Sequence, residues 1–194
     1  MNFKEYKYLI YSDLYRIIGK AKPSLLIWNI FMGGAFKYNF WMRTCIYAKN
    51  NIFLKYSIYY LIRFFLHRLK YRLGISIPPE TRIGSGFYIG HFGGIVVNRH
   101  CIIGRNCNIS HGVTLGIVKR GKNRGSPILK DNIYLGAGAK IIGAVHIGNN
   151  VAIGANCVVT KDIPDNAVVV GIPGRIISMN GSAGYVNNTD YETN

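Results

Sequence analysis

The chain has 194 residues, with 24 Lys and Arg against 8 Asp and Glu, a formal net charge of +16. That length suits one compact domain with an appended element, and the charge attracts anions such as acidic lipid, phosphate-rich cofactors or acidic glycans. No recognised nucleic-acid-binding module accompanies it, so nucleic acid is not an expected partner. A membrane span is excluded as well, because the most apolar stretch, Ile52 to Leu69, is broken by Lys55, Arg63 and Arg68 and falls short of roughly 20 apolar residues in a row.

Residues 1–74 hold 13 of the basic residues against Glu5 and Asp13, together with 19 of the 25 aromatic residues. Apolar side chains recur there at helical spacing. Leu9, Ile10, Leu14, Ile17 and Ile18 share a face with Asp13, and Ile58, Leu61, Ile62, Phe65, Leu66 and Leu69 form a second series. The pattern predicts two or three amphipathic helices separated at Pro23 and Gly33–Gly34. No small-residue cleavage site follows an apolar core, so no signal peptide is expected. Basic, aromatic helices of this kind either pack on the open end of the following fold or on a neighbouring subunit, or make peripheral contact with anionic lipid.

From Ile77 the sequence repeats every six residues. One position per hexad reads Ile77, Ile83, Ile89, Ile95, Cys101, Cys107 and Val113, and after one interruption Leu129, Leu135, Ile141, Ile147, Ile153 and Val159. Hexads of one bulky apolar residue followed by small residues predict a parallel β-helix, in which short strands stack and bury one side chain per turn. A β-sandwich of short strands would not hold a fixed six-residue phase. Cys101 and Cys107 fall on inward positions and Cys157 on a small one, and no CxxC pair exists. They read as core residues of a protein in a reducing cytoplasm.

The interruption is a hydrophilic loop, 117–127, carrying Lys119, Arg120, Lys122, Arg124 and Ser126. Loops on rigid scaffolds are where sites are built. This one is either a solvated basic loop or a flap over an anionic substrate or cofactor phosphates. After Met179 the Asn-, Gly-, Ser- and Thr-rich residues 179–194 are expected to form a flexible tail.

Four runs, GFYIGHFGGIVV (Gly86–Val97), VTLG (Val113–Gly116), YLGAGAKIIG (Tyr134–Gly143) and IGANCVVTKDIPDNAVVVGIPGRII (Ile153–Ile177), carry a resemblance. The chain resembles the hexapeptide-repeat acyltransferases, and within them the serine acetyltransferases and their relatives in capsule and exopolysaccharide synthesis. The resemblance implies a mainly β fold: a left-handed parallel β-helix over 75–178, preceded by the α-helical region 1–74. It implies a homotrimer, acetyl-CoA as co-substrate and no metal. It also implies that Gly116, Ala137, Ala155, Thr160, Lys161 and Arg175 line the coenzyme A groove. Small residues let a pantetheine arm run close to the backbone, and the basic pair suits phosphates.

Acyl transfer to a hydroxyl requires a base near neutrality, and histidine suits that task. Of His67, His91, His100, His111 and His146, His91 matches the family's catalytic position in IGHFGG. His111, the second catalytic candidate, lies 20 residues on, so an 18-residue coil would place it one coil away and two positions along, lining the same cleft at a place where the family usually has Gln. A zinc lyase is not supported, since His91, His100 and His111 lack the spacing of a three-histidine site.

Two departures from serine acetyltransferases stand out. The family's Asp before the catalytic His is Gly90 here, and its Asp-Arg-His-Pro run, which supplies a second His and a carboxylate-gripping Arg, is Arg124-Gly125-Ser126-Pro127. A site without those groups should bind a free amino acid poorly. The expected acceptor is therefore the hydroxyl of a surface-polysaccharide sugar or its precursor. The alternatives are serine, as in cysteine biosynthesis, and a non-catalytic trimeric scaffold at the membrane. The sequence names no acid to orient His91 and no oxyanion stabiliser.

Overall fold

A computed structural model of the protein describes residues 1–191. Five helices precede a coil of short strands: α1 (Phe3–Ile18), α2 (Pro23–Phe31), α3 (Phe36–Asn50), α4 (Ile52–Ser57) and α5 (Tyr59–Leu73). Their ends follow local chemistry. The Asn2 side chain accepts from Glu5 N at 2.8 Å to cap α1, Pro23 opens α2, and Asn51 caps α4 by accepting from Leu54 N at 3.2 Å. Left-handed Gly19 and Gly74 close α1 and α5. Two or three helices were expected; the extra breaks fall at Asn51 and Ile58, where no Pro or Gly marks them.

The coil has three faces. The first stacks Ile75–Ser76, Ile95–Val97, Thr114–Gly116, Lys140–Ile142 and Val158–Val159; the second stacks Arg82–Ile83, Ile102–Ile103, Ile128–Leu129 and His146–Ile147. The third runs through Tyr88–Ile89, Asn108–Ile109, Tyr134–Leu135, Ala152–Ile153 and Val168–Val170, and ends with antiparallel Arg175–Ser178. All other pairings between strands are parallel. The interior is a set of aliphatic stacks, such as Ile89, Ile109, Leu135, Ile153 and Val169, each buried against its equivalents one coil away.

The register corrects the two-phase reading of the repeat. Tyr134 pairs with Ala152, a step of 18, whereas Ile75 pairs with Ile95 and Ile89 with Ile109, steps of 20. The first coil thus carries two extra residues. They shift the strand centres from Cys101, Cys107 and Val113 to Ile103, Ile109 and Leu115. Both sets are buried, because the residue two places before a strand centre also turns inward, as Ile133 does before Leu135 and Val151 before Ile153. Apolar periodicity alone could not tell them apart. A later step of 26, Ile102 to Ile128, spans the 117–127 loop.

The helices are clamped to the coil by buried polar contacts. Arg43, on α3, donates to both Asp13 oxygens at 3.1 and 3.3 Å and to the Ile83 and Gly84 carbonyls at 2.7 and 2.6 Å. Asp13 in turn accepts from Phe87 N at 2.8 Å, and Ser12 Oγ from Gly86 N at 3.0 Å. Burial pushes the Asp13 carboxyl up, against the pull of Arg43 and the Phe87 N–H. Tyr38 OH donates to Ile77 O at 2.9 Å, and Asn39 Nδ2 donates to Phe87 O at 2.8 Å.

The flexible-tail expectation is corrected as far as Tyr191; residues 192–194 lie outside the described residues. Ser182 Oγ donates to Asn132 O at 2.6 Å, Tyr185 stacks on Tyr134 at 4.6 Å, and Arg16 donates to Asn187 O at 2.8 Å. Buried Tyr191 donates to Asn106 Oδ1 at 2.7 Å. The tail's polar composition finds polar partners. It docks near a corner built from left-handed Asn106, Asn132, Asn150 and Asn166, whose side-chain amides bond one to the next at 2.9, 2.9 and 3.0 Å.

Candidate active site

Two of the coil's corners carry the residues singled out in the sequence. The corner between the third and first faces is a column of tight turns, one per coil: Gly90–Gly94, Ser110–Gly112, Gly136–Gly138 and Gly154–Asn156. Backbone bonds tie each turn to the next, Gly112 N to Gly93 O at 2.7 Å, Gly138 N to His111 O at 2.9 Å and Asn156 N to Ala137 O at 2.8 Å. His91, His111, Ala137 and Ala155 occupy this column in order. Gly112 has φ +70, and a Cβ there would meet Gly138 Cα at 3.3 Å, so only glycine keeps the turns this close.

The 20-residue step brings His111 to the equivalent position one coil below His91, not two positions along. The two imidazoles are exposed, with ring centroids 6.1 Å apart and planes at 72°. Among the described residues neither imidazole has a hydrogen-bonding side-chain partner, so both nitrogens of each ring are open to a ligand.

Two residues that sequence reasoning passed over stand beside this pair. Tyr88 lies over Gly90: a Cβ at Gly90 would sit 3.5 Å from the Tyr88 Cε1 and 3.8 Å from its hydroxyl oxygen. The phenol thus borders the space beside position 90, at ordinary contact distance from a Cβ there. Lys140 projects outward from the first face, and its ammonium donates to Gly112 O and, at 3.2 Å, to Thr114 Oγ1. It fixes a positive charge beside the turn that carries His111. The signal for both was their place on outward strand positions, next to the inward Ile89 and Ile141 that the six-residue repeat already marks.

The second corner, between the first and second faces, holds Gly116, Thr160, Lys161 and the 117–127 loop. The loop is a hairpin closed by reciprocal backbone bonds between Val118 and Gly125 at 3.0 and 2.9 Å, with Lys119, Arg120, Lys122 and Arg124 exposed. It folds toward later coils: Asn123 accepts from Ala144 N at 3.0 Å through its carbonyl and donates to Thr160 O at 2.9 Å through its side chain. Ser126 Oγ donates to Asn98 Oδ1 at 3.3 Å. Asn123, Ala144, Thr160, Lys161 and Asp162 line a cleft of ≈ 420 Å³. Arg175 is exposed on the terminal antiparallel strand, paired with Val170.

A single chain therefore does not bring all the expected groups together. The histidines, Ala137 and Ala155 stand at one corner; Gly116, Thr160, Lys161 and the loop stand at the other. One face of the coil separates them, about 20 Å at six extended residues of some 3.3 Å each.

Three parallel faces, 18-residue coils and outward histidines on glycine turns define a hexapeptide-repeat protein. Residues 126–161 match the family model for "Bacterial transferase hexapeptide (six repeats)". Over 129 residues the chain is 39% identical to serine acetyltransferase of Bacillus pumilus, covering 66% of this chain and 59% of the relative. Among solved structures, serine acetyltransferase of Brucella abortus in complex with coenzyme A superposes with a TM-score of 0.75 at 26% identity, covering 92% of this chain and 70% of that one. The Neisseria gonorrhoeae enzyme in complex with serine gives 0.72 at 28%, with coverages of 91% and 70%. The chain is thus similar to the hexapeptide-repeat transferases, and to the serine acetyltransferases among them, and its coil is a left-handed β-helix. It spans between about half and three-fifths of the length of the curated relatives it matches.

These likenesses overturn the expected sugar acceptor. Relatives 37–43% identical to this chain are named serine acetyltransferase. The loop argument reasoned from groups that are missing. It identified no group that would recognise a sugar.

Proposed function

We propose that the protein is an acetyl-CoA-dependent O-acetyltransferase of the serine acetyltransferase kind, with the hydroxyl of serine as acceptor. The observation that carries this reading is the placement of His91 over His111 on successive glycine turns. Acetyl-CoA supplies the acetyl group as a thioester. His91 takes the proton of the attacking hydroxyl, and the imidazolium so formed returns it to the departing thiolate, which leaves the base ready for the next turnover. His111, 6.1 Å away, holds the acceptor against His91. Ala137 and Ala155 leave a smooth column for the pantetheine arm, and Thr160, Lys161 and Arg175 meet the cofactor's polar end. Lys119, Arg120, Lys122 and Arg124 take over the carboxylate of serine, since the loop lacks the family's gripping Arg.

In this reading the two corners meet across a homotrimer, with the histidine column of one copy facing the basic loop of the next. Use of acetyl-CoA and four buried, unpaired thiols suit the cytoplasm.

Release of free thiol from acetyl-CoA in the presence of L-serine tests the reaction. His91→Ala should lower kcat by on the order of 100-fold or more. An unchanged rate sinks the assignment of the base, and absence of serine-dependent release from the unaltered protein sinks the reading. Mixed assemblies test the shared site: unfolding and refolding His91→Ala together with a chain in which the four loop cations are alanine should restore activity neither has alone.

A further inference from the structure

We infer that the outer face of α4 and α5 is a docking surface for an anionic lipid bilayer. On α5 the inward residues are Ile62, Leu66 and Leu73, while Tyr60, Leu61, Phe64, Arg68, Tyr71 and Arg72 look outward. On the adjoining α4, Ile52, Phe53, Lys55 and Tyr56 do the same, with Phe53 83% and Tyr56 78% exposed. Side chains that size gain nothing from water unless something covers them. Three cations sit by a ring: Lys55 lies 5.4 Å from the Tyr56 centroid, Arg68 5.9 Å from Phe64 and Lys70 5.6 Å from Tyr71. Apolar rings with basic groups at their margins are what an interfacial helix presents to headgroups and acyl chains.

Charge decides among the possible occupants. No Asp or Glu occurs between Asp13 and Glu80. A second copy packed face to face would oppose cation to cation. Among the described residues most carboxylates already have a basic partner: Asp13 with Arg43, Glu80 with Lys49 and Arg63, Asp131 with Arg105, and Asp165 with Lys130. Single-stranded nucleic acid, which such chemistry also attracts, is held in a charged groove, whereas this face mixes rings with the aliphatic Ile52 and Leu61. Beside α5, Arg63, His67, Lys70 and Arg99 line a cleft of ≈ 360 Å³ together with Glu80, so the cations outnumber the one carboxylate there. No helix among the described residues is long and apolar enough to cross a membrane, so the contact lies in the plane of the interface.

The inference stands apart from the reaction and is tested on the full chain by sedimentation with vesicles. The protein should pellet with phosphatidylcholine–phosphatidylglycerol vesicles and stay in solution with phosphatidylcholine alone. Binding should weaken steeply as salt is raised. Lys55→Glu/Arg68→Glu/Arg72→Glu should reduce affinity by on the order of 100-fold, and Phe53→Ser/Tyr56→Ser/Phe64→Ser should abolish pelleting. All six side chains are exposed, so both variants should keep the parent's circular dichroism and urea midpoint. Equal binding to neutral vesicles, or full binding by either variant, overturns the inference. So does self-association, or oligonucleotide binding, that these variants abolish in a chain that ignores vesicles.

Discussion

Inside the coil, every inward side chain meets its own kind one coil above and one below, so Leu135 touches an environment much like that of Ile109 or Ile153. Where the helices meet the coil, the apolar core is joined by unrepeated polar groups, among them the Asp13 carboxylate, the Arg43 guanidinium, the Ser12 hydroxyl, the Tyr38 phenol and the Asn39 amide, each bonded to a particular backbone group. The difference bears on robustness. A truncation in a repeated stack leaves the neighbouring layers intact, whereas a truncation in the polar joint strands a buried charge with nothing to replace its partner.

The largest expected effect follows. Asp13→Ala removes the partner of Arg43, whose side chain is 6% exposed, and frees Phe87 N, so it should cost about 3–5 kcal/mol in urea unfolding. Ile141→Ala in the middle of the coil should cost about 3 kcal/mol, the removed side chain's transfer energy plus a cavity. If the coil substitution is the more damaging of the two, the distinction between a redundant core and an unrepeated joint fails.

The asparagine ladder sharpens the comparison at a smaller scale, because it is polar yet repeated. Asn132 has φ +60 and is bonded to Asn106 and Asn150. Asn132→Gly keeps the backbone at ease and loses two exchangeable side-chain bonds, at a cost of about 1 kcal/mol. Asn132→Ala adds the strain of a left-handed alanine, about 1 kcal/mol more. Alanine should therefore be worse than glycine at this position, the reverse of the order in a helix.

The repeat was legible because a six-residue period leaves a mark in every coil. Less legible was its phase: two added residues near His91 changed which residues centre the strands, yet the residues on either reading are apolar and buried. That shift hid the placement of His111 directly beneath His91. The tail was misread for a related reason. Its Asn and Ser residues look soluble in isolation, and only the fold shows that the corner they dock on is itself built of asparagine. The acceptor was misjudged because absent groups in the loop were weighed as if they described a ligand. That His91 and the loop lie at different corners is a property of the prism, which no local pattern encodes.

The four cysteines offer the gentlest probe, since they divide between the two regions: Cys45 lies on α3, and Cys101, Cys107 and Cys157 lie in the coil, all buried. Burial pushes the Cys107 thiol up to about 12 and the Cys101 thiol up to about 11, and raises Cys45 and Cys157 as well. The unfolded thiol titrates near 8.5. A folded value above the unfolded one means that this contribution is fully present below about pH 8.5 and is lost as pH rises toward the folded values. Near neutrality the native protein should then react with an alkylating reagent only through opening, because the thiolate is the reactive form. If the polar joint is the weaker connection, Cys45 should be modified before the coil cysteines in mild urea, as read by mass spectrometry of timed samples. Asp13→Ala should widen that interval by exposing Cys45 sooner. Simultaneous modification of all four would mean that helices and coil unfold as one unit, with the joint no weaker than the stacks.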